Sequence, residues 1–284
     1  MNNPTDYTQH HHHHHHHHHR SALRKWGNRL LVAFAVVALA VLLLAFFSPD
    51  TLGKLSATFQ RTLNNGVDLL TTNNRHLRVD YDGIDVSHYQ GIIDWYRVGE
   101  DADVKFVYIK ATEGSDHADS LYERNLQGAI GAEIPVGSYH YLTSSSPVAA
   151  QFKFFASVAD RSLQRLRPMV DIEADGVKGW SSQQIADSLA AFADMVKRHY
   201  HVWPVIYSYS AFYNAHLAPR FNNFHLFLAR YDAKEPVVHG AGKHSIWQHT
   251  DMGAIDGIPK PVDLDVFAKG TTLADILIPD EVKD

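Results

Sequence analysis

Asp171 and Glu173 stand two residues apart at the end of a short apolar run, Met169 and Val170, that reads as a buried strand. Side chains at i and i+2 of a strand share a face, so the two carboxyls project together. Paired carboxyls are what glycosidic-bond cleavage requires. One stays protonated to donate to the leaving oxygen, and another stays ionised to support positive charge on the sugar. Acids that merely cap the next helix would show the same local pattern, so the pair has to be weighed with its surroundings. Asp85, after Gly83 and Ile84, and Asp263, inside the alternating run Val262 to Phe267, are two further candidates.

Other chemistries find less support. The chain has no cysteine, which excludes a thiolate nucleophile, disulfides and thiolate metal sites. Ser87 lacks a nucleophile elbow and an evident base. His88 and His140 lack a His-x-x-x-His spacing with a ligand carboxylate, so no metal and no other cofactor is expected.

The elements that must position these residues alternate from Asp80 onward. Strands are expected at Gly83–Val86, Val104–Ile109, Pro135–Leu142, Pro168–Ile172, Pro204–Tyr207, His225–Ala229, Ser245–Gln248 and Val262–Phe267. Helices are expected at Leu121–Ala132, from Pro147 to Val158, from a Ser181 or Ser182 cap to Tyr200, and at Ser210–Leu217. Five strand–helix units followed by three strands with little helix between them predict an α/β barrel. In such barrels reactive groups gather where the strands end. Lys110 and Glu113 follow the second strand, and Tyr139, His140 and Tyr141 end the third. Asp171 and Glu173 end the fourth, Tyr207 and Tyr209 the fifth, and Gln248 the seventh.

Several short patterns then coincide in order: Gly83-Ile84-Asp85-Val86-Ser87-His88-Tyr89-Gln90-Gly91 leading to Asp94 and Trp95, Phe106 to Gly114, Gly137 to Tyr141, the Asp171/Glu173 pair, Ile206-Tyr207, Trp247-Gln248, and Val262 to Phe267. In this order and spacing residues 80 to 270 closely resemble glycoside hydrolase family 25, the muramidase-type lysozymes. The resemblance implies a flattened TIM-like barrel, (β/α)5 followed by three closing strands. It implies cleavage of the β-1,4 bond between N-acetylmuramic acid and N-acetylglucosamine in peptidoglycan glycan strands.

Carried over by position, the resemblance makes Glu173 the general acid, Asp171 its partner carboxylate, and Asp85 and Asp263 the flanking acids. The family usually carries asparagine where this chain has Asp265. Negative charge from Asp171, Asp85 and Asp263 is expected to keep Glu173 protonated. The substrate's own 2-acetamido group is then a candidate nucleophile, with attack by water or by a carboxylate as alternatives. Tyr139, Tyr141, Tyr207, Trp247, Gln248 and Glu113 are the expected substrate-binding residues, since sugar C–H faces stack on aromatics. Trp95 and Trp203 read as core. Two rival functions stay open: a peptidoglycan-binding module that does not cut, and a hydrolase of another N-acetylated polysaccharide.

Charge is uneven. Before Asp80 there are eight basic and three acidic residues, and from Asp80 onward 18 basic and 28 acidic. The acidic C-terminal part argues against nucleic acid as a partner. His10–His19 is an unbroken histidine run, either an appended tag or a natural metal-binding tract, and is set aside. Leu30–Phe47 is 18 residues without a polar side chain, long enough to cross a bilayer core. Arg20, Arg24, Lys25 and Arg29 precede it, which orients the N-terminus to the cytoplasm and the rest outside. A poor cleavage site after the span favours an uncleaved anchor over a signal peptide. Leu52, Leu55, Phe59, Leu63, Val67 and Leu70 form one stripe of an amphipathic helix, packed on its own domain or serving as a homodimer seam. The expected partition is 1–29 cytoplasmic, 30–47 transmembrane, 48–79 helix and linker, and 80–284 catalytic.

Overall fold

The computed structural model describes residues 80–280. The histidine run, the apolar span 30–47, the 52–70 stripe and the partition before residue 80 lie outside the described residues. Among the described residues no helix is long and apolar enough to cross a membrane.

Eight strands close into a barrel. They are β1 (Gly83–Val86), β2 (Phe106–Glu113), β4 (Val136–Tyr141), β5 (Met169–Asp171), β6 (Val205–Tyr209), β7 (His225–Ala229), β8 (Ile246–Gly253) and β9 (Val262–Phe267), while β3 (His117–Ala118) hangs on the edge of β2. Pairing is parallel from β1 through β2, β4, β5, β6 and β7 to β8. It turns antiparallel where β9 pairs with β8 and with β1 to close the ring. Helices α1 (Trp95–Gly99), α2 (Tyr122–Gly131), α3 (Val148–Val158), α4 (Ser182–Tyr200) and α5 (Ser210–His216) follow the first five barrel strands, and α6 (Leu273–Ile276) ends the described chain. This is the expected order of five strand–helix units and three closing strands.

Local sequence explains the elements. In α4 the Ser181 side chain accepts from the Gln184 amide, and Gln184 accepts from the Ser181 amide, a reciprocal cap that satisfies two otherwise unpaired donors. Ile185, Leu189, Phe192 and Val196 form its buried face. Strand alternation divides the core in two. Ile84, Val86, Val107, Ile109, Val170, Ile206, Leu228 and Leu264 face the helices. Phe106, Tyr108, Tyr139, Met169, Val205, Tyr207, Phe227 and Ile246 fill the barrel interior. Gly83 makes room there, because a Cβ at this position would stand 2.4 Å from the Phe106 ring.

Some strand bounds and one tryptophan need correction. β2 runs on to Glu113 rather than ending at Ile109, β6 to Tyr209 rather than Tyr207, and β8 to Gly253 rather than Gln248. The Lys-Ala-Thr-Glu tail of β2 climbs the barrel wall to a polar rim. Trp203 is 42 % exposed rather than core, because it stands just before β6 at the opposite end of the barrel, packed edge-on against Phe224 only from one side. Trp95 is buried as expected.

Candidate active site

The strand ends bring the sequence candidates to one rim. Asp85 on β1 stands opposite Asp263 on β9. Asp171 on β5 lies between Tyr141 of β4 and Tyr207 of β6. One turn of chain beyond β5, Glu173 is set by its backbone neighbours: the Ile172 amide donates to the Tyr207 carbonyl at 3.1 Å, and the Ser208 hydroxyl donates to the Ile172 carbonyl at 2.8 Å. Asp171 is buried and Glu173 is half-buried.

The Asp171 and Glu173 carboxyls are close enough to shift each other's titration. Asp171 Oδ1 is buried without a hydrogen-bond partner. Both groups titrate above the ordinary carboxylate range. For Asp171 burial is the main cause, followed by the charge of Glu173, with Lys110 opposing. For Glu173 burial is again the main cause; its contact with Asp171 opposes it, Asp175 raises it further, and Lys110 lowers it. The expected cause for Glu173, crowding by Asp171, Asp85 and Asp263, is therefore replaced by desolvation and the nearby Asp175. Asp171 is the more deeply buried of the two.

The other two acids are held up as well. Asp85 is raised by burial and by the charges of Asp263 and Glu173, against a bond from Gln248. Asp263 is pushed up to about 7 by burial, then by Asp251 and Glu173.

Polar partners fix the geometry. Gln248 Nε2 donates to Asp85 Oδ2 at 2.6 Å. Its Oε1 accepts from Tyr207 at 2.7 Å and from Tyr231 at 2.6 Å. Tyr139 is raised by burial and by Asp85, Asp171, Asp263 and Asp119, so its phenol remains a donor among the acids. Lys110 Nζ binds Glu113 at 2.7 Å and lies 5.0 Å from the centre of the Tyr141 ring. Glu113 thus anchors the cation that faces the Asp171/Glu173 pair. The loop after β1 is pinned where His88 contacts Asp119 through Nδ1 at 2.6 Å and through its amide at 3.0 Å.

Three candidates fall elsewhere. Trp247 alternates with Gln248 and faces out of the barrel, where its indole N–H donates to the Arg230 carbonyl at 2.8 Å. Period-two alternation that aims Gln248 inward must aim Trp247 outward. His140 points to the helices, stacked 4.9 Å from Phe192 and bonded to Thr112 and Gln151. Burial lowers its pKa to about 4, so it serves the core. His88 is committed to Asp119.

Sequence reasoning missed Tyr231, Asp251 and Asp119. Tyr231 lies two residues past β7, and a strand-end search applied to that strand would have found it. Its ring meets Tyr209 edge-on at 5.8 Å, both about two-fifths exposed at the rim. Asp119 caps the approach to α2 through the Leu121 amide, a role that its sequence context does not separate from an ordinary loop aspartate.

Comparison with known proteins agrees with this geometry. The family model described as "Glycosyl hydrolases family 25" matches residues 84–258. The chain is 34 % identical over 189 residues to the Escherichia coli K12 protein named "Uncharacterized protein YegX", covering 65 % of this chain and 68 % of that one. It is 32 % identical over 199 residues to the "Autolytic lysozyme" of Clostridium acetobutylicum, covering 70 % of this chain and 59 % of that one. The crystal structure of the bacterial lysozyme from Streptomyces coelicolor superposes with a TM-score of 0.62 at 30 % identity, covering 68 % of this chain and 94 % of that one.

Proposed function

Because the chain belongs to the glycosyl hydrolases family 25, we propose that its carboxyl rim is a peptidoglycan muramidase site in which Glu173 is the proton donor and Asp171 its partner. The observation that carries the assignment of roles is the difference in burial: Asp171 is buried at the strand end, while Glu173 is half-buried and open to a substrate. Acids that flank a sugar from opposite sides stand about 5 to 9.5 Å apart. Asp171 and Glu173, two residues apart at one strand end, instead act from one side.

The half-buried Glu173 meets the glycosidic oxygen. Burial holds Glu173 above the ordinary carboxylate range, and it gives its proton to the departing oxygen as the C1–O bond breaks. The acetamido oxygen of the same sugar closes on C1, and Asp171 accepts the acetamido N–H and supports its positive charge. Water then adds to C1, gives its proton to Glu173 and reopens the ring. Such substrate assistance is a known departure from the two-carboxylate scheme. Tyr139 keeps its hydroxyl proton and supplies a donor beside the reacting sugar, Tyr207 gives its own to Gln248, and Tyr209 and Tyr231 offer the sugar an aromatic edge.

The same reading includes location. The apolar span Leu30–Phe47 with basic residues before it supports a single anchor in the cytoplasmic membrane, with the barrel on the outer side where peptidoglycan lies.

The test is digestion of purified peptidoglycan by the full chain, with products read by mass spectrometry. Fragments ending in reducing muramic acid are expected. Glu173→Gln should lower the rate by about 10² to 10⁴, and Asp171→Asn by about 10². Products ending in reducing glucosamine, cleavage only of another N-acetylated polysaccharide, or glycan binding without cleavage would each sink this assignment.

A further inference from the structure

Asp265 is a buried acid of the barrel interior to which the mechanism above gives no work. It lies on β9 two residues below Asp263, paired in register with Gly83 of β1 on one side and Gln248 of β8 on the other. Its side chain is fully buried, and neither carboxyl oxygen has a hydrogen-bond partner. The neighbouring Gln248 makes no bond to it: Nε2 donates to Asp85 and Oε1 accepts from two tyrosines, which leaves one amide N–H to spare.

The groups that face it are Asp85 from β1, Asp263 from its own strand and Tyr108 from β2, with the uncharged Gln248 from β8. No cation is among them. An ionised carboxylate without donors or a countercharge is strongly disfavoured in such a place, so the group keeps its proton.

We propose that Asp265 is a buried positioning acid: it stays neutral so that Asp85 above it can carry charge, and its ionisation at alkaline pH ends hydrolysis. This rests on the muramidase reading of the rim. Burial and the charges of Asp85 and Asp263 hold Asp265 well above the ordinary carboxylate range. Asp85 has a donor in Gln248 and Asp265 has none, so the charge settles on the upper acid. Once Asp265 ionises, two unscreened like charges face each other across Gln248, and its amide turns away from Asp85.

The experiment compares Asp265→Asn with wild type. Asparagine has nearly the same shape and cannot ionise. The ratio of kcat/KM, variant over wild type on peptidoglycan, should rise at least about tenfold between pH 6 and pH 9. A purely structural role would change stability and leave this ratio flat, and a flat ratio overturns the proposal. If the variant does not fold, carbon-13 NMR of aspartate-labelled Asp85→Asn/Asp171→Asn/Asp263→Asn protein decides. One aspartate carboxyl still protonated at about pH 6 and ionised by about pH 9 is expected, and none protonated at about pH 6 overturns it. A wild type that leaves peptidoglycan intact at every pH refutes the functional reading instead, and the NMR titration then tests Asp265 by itself.

Discussion

Gln248 and Asp85 are 163 residues apart in sequence and 2.6 Å apart in space, joined by an amide N–H that donates into a buried carboxyl. This contact needs the closed ring: β8 reaches β1 only through β9. It is also the one hydrogen bond that favours the ionised form of Asp85 against burial and two neighbouring acids.

Replacing Gln248 by leucine removes that donor. A buried charged acceptor left unpaired costs about 1 to 3 kcal/mol, so kcat/KM should fall by roughly 10- to 100-fold. Asp85 then titrates higher still, and the acidic limb of the pH–rate profile should move to higher pH. A profile with unchanged limbs would separate Gln248 from Asp85 ionisation.

The amide of Gln248 is oriented by two phenols, Tyr207 and Tyr231. Either phenylalanine substitution alone leaves one donor on Oε1 and should cost about 1 kcal/mol, roughly fivefold in kcat/KM. Removing both frees the amide to turn its oxygen toward Asp85. The double variant should therefore lose more than the product of the single losses, which a double-mutant cycle measures directly.

Lys110 lowers the titration of both Asp171 and Glu173. In Lys110→Met both acids hold their protons to higher pH, and the whole bell of kcat/KM against pH should shift upward by about one unit. Steady-state rates from pH 4 to 9 test this, and an unmoved bell refutes it.

Asp263 carries a stability signature. Its folded pKa of about 7 lies above the unfolded value, so between the two the native state binds more protons than the unfolded chain. Stability is then full below about pH 4 and falls as pH rises through 7. Asp263→Asn should be more stable than wild type at pH 8 and show no such gain at pH 4. Calorimetric Tm at the two pH values decides.

Trp247 faces out of the barrel, bonded to the Arg230 carbonyl. Trp247→Phe should lower stability by about 1 kcal/mol and leave kcat/KM within about twofold. A large loss of activity with an unchanged Tm would return it to the cleft.

Much of this was legible in order and spacing. The Asp171-Ile172-Glu173 step places two acids on one face where the chain is extended, and hydrophobic runs located His225–Ala229 and Val262–Phe267 at their observed bounds. The strand–helix alternation announced a barrel, and a barrel collects strand ends at one rim. Period-two alternation might also have assigned Trp247 outward, had Gln248 been known to point inward. That choice of face depends on ring closure, which no local pattern contains.

Protonation was decided only in three dimensions. Sequence shows that Asp85, Asp171, Glu173, Asp263 and Asp265 are acids. It does not show that Asp171 lies deeper than Glu173, that Gln248 reaches Asp85 across the seam, or that Asp265 has no partner at all. Which acid keeps a proton is set by desolvation and by donors within hydrogen-bond reach, and both arise from chain segments far apart in sequence that meet only when β9 closes the barrel.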